Sequence, residues 1–173
     1  SQPEEKELPP KAGSPTFGTL KLRLSVAPKP PVSAILSSYP TMNEQILIQD
    51  TLKFLAECEY DRTAATPDAV AEKLSLSRAQ AGRLVRDLRS AGLIEADSLA
   101  LTAGGREYAL HVLRAHRLYE TYLAAKSGVP EAAWHGRAEA REHRLSAGDV
   151  RKLAEELGDP RYDPHGDPIP TAA

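Results

Sequence analysis

The sequence is short of cysteine, of long apolar runs and of net charge, and each shortage removes a class of protein. Cys58 is the single cysteine in 173 residues, which excludes an intramolecular disulfide framework and a thiolate zinc site and fits a reducing cytoplasm. No stretch approaches the roughly 18 apolar residues of a membrane span, and no secretory signal opens the chain. Net charge is −2, so any contact with nucleic acid must come from a local patch rather than from overall basicity. No HExxH helix or nucleophile and base constellation is present to support a metallo-hydrolase. Hydrophobic residues make up 41% of the chain, enough for a packed core.

Prolines are unevenly spread. Residues 1–41 hold eight of the fourteen and open with Glu4-Glu5-Lys6-Glu7, the composition of a flexible extension. Within it, Thr19 to Val26 alternates polar and apolar residues, the period of a half-buried strand. From Asn43 the pattern turns helical, with Ile48, Leu52 and Leu55 on one face. Thr66 and Pro67 signal a short helix over 67–74 that buries Val70, Ala71 and Leu74. Ser77 and Gln80 have capping-box spacing and start another helix, which runs to Ser90 and is closed by Gly92.

Two short helices joined by a tight turn form a helix-turn-helix. On the second, Arg78, Arg83, Arg86 and Arg89 cover one side while Ala81, Leu84, Val85 and Leu88 cover the other. A charge run is usually a solvated face. On the second helix of this motif, however, four guanidinium groups suit phosphates and guanine edges in the major groove. Arg78, Arg83 and Arg86 are the candidate DNA contacts, with Ser77 and Gln80 beside them unless the cap consumes both. Leu93–Glu95 and Leu99–Leu101 then flank Ala96-Asp97-Ser98 as a small hairpin, the stub of a wing.

Thr102 caps a long helix reaching about Ala125, and Ser127-Gly128 ends it. A further helix stops near Leu145, a last one runs from Ser146 to Leu157, and a turn-rich tail closes the chain. His135, Glu139, Glu142 and His143 stand at i, i+4, i+7 and i+8, within an arc of roughly 100° on a helix. His116 and Glu120 stand at i, i+4 on the helix before. Six imidazole and carboxylate donors on two successive helices suit one or two divalent ions. Such donors suit manganese, iron(II), cobalt or zinc, and the lack of a thiolate among them favours the harder ions. An isolated His/Glu pair is usually a solvated one; six together are more specific. His111 falls on another face and reads as a surface or packing residue, His165 can join only if the tail folds back, and Trp134 reads as a core or dimer anchor.

Several stretches are similar to one family. They are Ala71-Glu72-Lys73-Leu74, Ala91-Gly92-Leu93-Ile94, Leu101-Thr102-Ala103-Gly104-Gly105-Arg106, Arg114-Ala115-His116-Arg117-Leu118-Tyr119-Glu120, Glu139-Ala140-Arg141-Glu142-His143-Arg144-Leu145-Ser146 and Gly166-Asp167-Pro168-Ile169-Pro170. Across residues 44–170 the chain resembles the diphtheria toxin repressor and manganese transport regulator family of metal-dependent repressors. The resemblance implies that Glu139, Glu142 and His143 match a primary, activating site, and that His116, Glu120 and His135 match an ancillary site of the iron-responsive branch. Iron-responsive members carry a cysteine at the position of Glu139 and manganese-responsive members a glutamate, which favours manganese over iron. A further primary ligand comes from the first helix, where Asp50 is the candidate and Glu44 the alternative. The hairpin is shorter than the family's, and the resemblance stops at Pro170, before the SH3-like domain of the iron branch.

The expected fold is mainly α. A proline-rich extension (1–41) precedes a winged helix-turn-helix DNA-binding domain (42–101) and a helical metal-binding and dimerisation domain (102–173). The expected function is a cytoplasmic, homodimeric, manganese- or iron-dependent repressor that binds double-stranded operator DNA, with no membrane segment in this chain. The alternative is a cytoplasmic metal-sensing module cut from a metal-ion transporter, which a chain starting at Ser1 with a proline-rich lead also fits.

Overall fold

The computed structural model describes residues 41–171, so the expected strand at 19–26 and the extension before Thr41 lie outside the described residues. Among the described residues the elements are α1 (Met42–Asp61), α2 (Pro67–Lys73), α3 (Arg78–Ser90), α4 (Ala103–Lys126), a 3-10 turn (Glu131–Ala133), α5 (Trp134–Glu142) and α6 (Ala147–Glu156). The helix starts follow local chemistry. Thr41 and Glu44 form a capping box on α1, Thr66 accepts from the Ala69 N–H with Pro67 at the first helical position, and Ser77 and Gln80 form a capping box on α3. Thr102 caps α4, and Ser146 with Asp149 caps α6. Each such cap satisfies backbone donors that the first turn leaves unpaired.

The helix-turn-helix is present as α2 and α3. Its core joins Ile48, Leu52 and Leu55 of α1 to Val70 of α2, Val85 and Leu88 of α3, and Ala109 of α4. Fully burying each of the larger aliphatic side chains contributes about 1.5–3 kcal/mol. The hairpin that follows is reduced to a single antiparallel bridge between Ile94 and Leu101, with the Glu95 N–H donating to the Ala100 carbonyl at 2.9 Å. No strand is formed among the described residues. The hairpin is pinned to the start of α4, because a Cβ on Gly105 would lie 2.0 Å from the Leu93 carbonyl oxygen. Only glycine permits that approach.

Helix α4 is the spine: it packs against α1, α5 and α6. Its second half shares a smaller core, in which Ala115 and Leu118 meet Val150 and Ala154 of α6 and Ile169 of the tail. The turn-rich tail is therefore docked. Arg114 donates to the Pro170 carbonyl at 2.5 Å, Arg117 donates to the Pro168 carbonyl, and the Ile169 N–H donates to the Arg161 carbonyl at 2.9 Å.

One boundary differs from expectation. The helix read as running to Leu145 ends at Glu142, with His143 as its C-cap. The chain tightens there, the Arg144 N–H donating to the Arg141 carbonyl at 3.0 Å. This turn lets Leu145 pack on the smaller core before Ser146 opens α6.

Candidate metal centre

Helices α1, α4 and α5 and the docked tail converge on one polar cluster. Three groups of residues, two of them sharing Glu120, bring donor atoms within 4.8 Å of one another: His116, Glu120 and His135; Asp50, Glu142 and His143; and Glu120, Asp163 and His165. Five of the six donors expected on α4 and α5 therefore fall into these groups. Asp50 joins from α1, with Oδ1 3.3 Å from His143 Nε2. Glu44, the alternative, is consumed by its own capping box with Thr41.

Glu139 stands apart. Its carboxylate, about half exposed, lies 3.3 Å from His135 Nε2 instead of joining Glu142 and His143. It does line a surface hollow together with His143, and with Met42 and Ile46 of α1.

His116 is the hinge of the cluster. Its Nε2 lies 3.1 Å from Glu120 Oε1, its Nδ1 meets Glu142 Oε2, and His135 Nδ1 is 3.2 Å from its Nε2. Burial alone pulls the imidazole's pKa down, but the hydrogen bonds to Glu120 and Glu142 outweigh burial and raise it to about 9. For Glu120 burial pushes upward, and the hydrogen bond and charge of His116, helped by His135 and His165, override it and hold the carboxyl at about 2. Without an ion, then, His116 is an imidazolium between two carboxylates. To act as a ligand it must release that proton.

The second group is oriented from behind. His143 Nδ1 lies 2.5 Å from Gln49 Oε1, and Gln49 Nε2 donates to the Tyr108 hydroxyl at 2.8 Å. An imidazole that donates Nδ1–H to Gln49 turns the lone pair of Nε2 toward Asp50 and Glu142, the arrangement a metal ligand needs. Glu142, 2% exposed, is shared between groups: Oε2 meets His116, and Oε1 accepts from Lys53 Nζ at 2.8 Å. All these donors are imidazole nitrogen or carboxylate oxygen, which fits a hard or borderline divalent ion.

The third group adds Asp163, which no sequence pattern marks, and brings in His165 from the tail. His165 Nδ1 lies 3.5 Å from Glu120 Oε2, and Asp163 Oδ1 accepts from the backbone N–H groups of His165 and Asp167 at 2.8 and 3.0 Å. Asp163 was not singled out, and His165 depended on the tail folding back, which it does. Trp134 donates from its ring nitrogen to the Val129 carbonyl at 2.8 Å and so anchors the entry to α5.

Arg78, Arg83 and Arg86 are exposed along α3, Arg78 being paired with Asp68 at 2.9 Å. Arg89 reaches back to the Glu95 and Ser98 carbonyls at 3.3 and 3.5 Å, so it braces the hairpin. Ser77 and Gln80 are both engaged in the cap, the Gln80 side-chain oxygen accepting from the Ser77 hydroxyl at 2.7 Å.

Residues 102–171 match the family model described as the iron-dependent repressor metal-binding and dimerisation domain. This part of the chain belongs to the iron-dependent repressor family. The wider chain is similar to the iron-dependent repressor IdeR of Mycobacterium tuberculosis, 33% identical over 136 residues, 75% of this chain and 58% of the relative. Among solved structures it resembles a manganese-dependent transcriptional repressor in complex with manganese, at a TM-score of 0.68 and 35% identity, over 72% of this chain and 59% of that one. The chain thus spans little more than half the length of these relatives. A shorter match, 39% identical over 71 residues, 41% of this chain and 16% of the relative, is to a probable metal transport system membrane protein of Chlamydia trachomatis. Among the described residues no helix is long and apolar enough to cross a membrane.

Proposed function

We propose that this iron-dependent repressor family chain is a metal-dependent DNA-binding repressor, homodimeric and cytoplasmic, that controls genes of metal homeostasis. The observation that carries the reading is the convergence of Asp50 from α1 with Glu142 and His143 of the α5 end, because it ties the element that supports the helix-turn-helix to the donor-bearing helices. Residues 42–101 act as the DNA-binding unit and 102–173 as the metal-binding and dimerisation unit.

His116, Glu120 and His135 would hold one ion, and Asp50, Glu142 and His143 another, with Glu139 close enough to line the same hollow as His143. The divalent charge offsets the mutual repulsion of the carboxylates. Gln49 keeps His143 in its ligating orientation, His116 gives up a proton, and α1 becomes fixed against α5. Fixing α1 sets the attitude of α3, and in a two-fold dimer two such helices need a spacing of about 34 Å to enter successive major grooves. Binding thereby shifts a population of orientations toward the DNA-competent one. Arg83 and Arg86, with Arg78 if its pairing to Asp68 opens, then reach phosphates and base edges; Ser77 and Gln80 serve chiefly through the cap.

Manganese is favoured over iron because the donor set is oxygen and nitrogen throughout, with a carboxylate at Glu139. Metal analysis of the purified chain and a gel shift against DNA upstream of its own gene test the reading. Complex formation that requires manganese supports it.

A second reading, a metal-sensing module of a transport protein, is favoured by the match to the chlamydial membrane protein. Tight manganese binding with no operator complex at any concentration would select it.

A further inference from the structure

Lys53 is a buried cation in the middle of a cluster built of metal-ligand chemistry. Its Nζ lies 2.8 Å from Glu142 Oε1, and the two side chains are 9% and 0% exposed. The same oxygen is 3.6 Å from His143 Nε2, so the ammonium and His143 approach one atom of the Asp50–Glu142–His143 group. The other oxygen of Glu142 is taken by His116. The partners stand 89 positions apart in sequence, one on α1 and the other at the end of α5.

We infer that Lys53 is a tethered cation that occupies the Asp50–Glu142–His143 group in place of an ion, joining α1 to α5 in the ion-free protein and competing with a divalent ion for Glu142. The inference rests on the proposal that this group binds metal. A carboxylate withdrawn from water requires a compensating charge, and Lys53 supplies one without any ligand. A single positive charge on Glu142 leaves the negative charge of Asp50 without that cation, so the group still attracts a divalent ion. A divalent ion drawn to Glu142 Oε1 would repel the ammonium already there, so the two compete for that oxygen. A lysine suits the role, since its compact head on a flexible stem can withdraw where a bidentate guanidinium would hold. The ion pair of Lys53 is with Glu142, so the ammonium opposes filling of the Asp50–Glu142–His143 group and makes it the weaker of the two binding steps.

Mutually exclusive binding is reciprocal, and removing one competitor strengthens the other. Manganese titrations of the full chain without DNA, read by the electron paramagnetic resonance of free ion, compare wild type with Lys53→Met and with Lys53→Gln, which retains a hydrogen-bond donor but no charge. Either substitution is expected to tighten the weaker binding step by about tenfold or more, and adding Asp50→Asn should remove that gain. In chelator, both variants should melt below wild type and recover on adding manganese, because Glu142 then regains a cation. Wild-type manganese binding left unchanged or weakened in both variants overturns the inference while leaving the metal-sensing reading intact. Absence of manganese binding in all the proteins would overturn both.

Discussion

Asp50 of α1 and His143 at the end of α5 meet at 3.3 Å, while Glu44, the other first-helix candidate, is held in the α1 cap. Asp50→Asn should weaken manganese binding by at least about tenfold, as losses around a metal site commonly do. Glu44→Gln should only loosen the α1 cap, by about 1 kcal/mol or less, and leave manganese affinity unchanged. Isothermal titration of the two variants, beside their melting temperatures, distinguishes them.

Glu139 is half exposed and paired with His135, but it lines the same hollow as His143. Glu139→Cys adds a soft thiolate there and should move the metal ranking from manganese toward iron or zinc. Competition between the ions for the purified variant reads the ranking. An unchanged order would remove Glu139 from the ligand set.

Arg83→Ala should weaken DNA binding by about 1–3 kcal/mol if the guanidinium reaches a base edge, and less, but evenly across sequences and with a shallower salt slope, if it reaches phosphate. Manganese affinity measured without DNA should stay at the wild-type value, since Arg83 is exposed on α3 and belongs to none of the donor groups.

The ion-free protein should have a pH-dependent stability set by His116 and Glu120. The imidazole's pKa is raised from 6.5 to about 9, so its contribution is complete below 6.5 and is lost as pH climbs through 9. The Glu120 carboxyl is lowered from 4.5 to about 2, so its contribution is complete above 4.5 and is lost as pH falls through 2. Melting in chelator should be highest between these limits, and His116→Gln should flatten the alkaline side. Because the proton and an ion compete for His116, manganese binding near neutral pH should release a proton, measured as a dependence of binding heat on the buffer's ionisation enthalpy.

Local chemistry carried most of the fold into the sequence. Thr66 before Pro67, Ser77 before Gln80, Thr102 and Ser146 all act within one helical turn, so their signals need no tertiary context. The same holds for His116 and Glu120, one turn apart on α4. What depended on helix crossing was hidden. Lys53 and Glu142 come together only because α1 and α5 both flank the spine formed by α4, and nothing near Lys53 in sequence points to a carboxylate 89 positions away. The family resemblance groups Glu139 with Glu142 and His143, but α5 stops at Glu142, so His143 leaves the helical wheel, and Glu139 pairs with His135 one turn back. Asp163 and His165 reach Glu120 because Arg114 and Arg117 hold the carbonyls of Pro170 and Pro168, a docking that a turn-rich composition does not announce.

In the proposed function, closing Asp50, Glu142 and His143 on a common ion enables α3 to hold DNA. Fluorescence anisotropy of a labelled fragment from upstream of the chain's own gene, with manganese or with chelator, tests it most directly. Tight binding is expected with manganese, loss of it in chelator, and loss of the manganese effect in Glu142→Gln. Equal binding under both conditions, or no binding by a protein already shown to hold manganese, would contradict it.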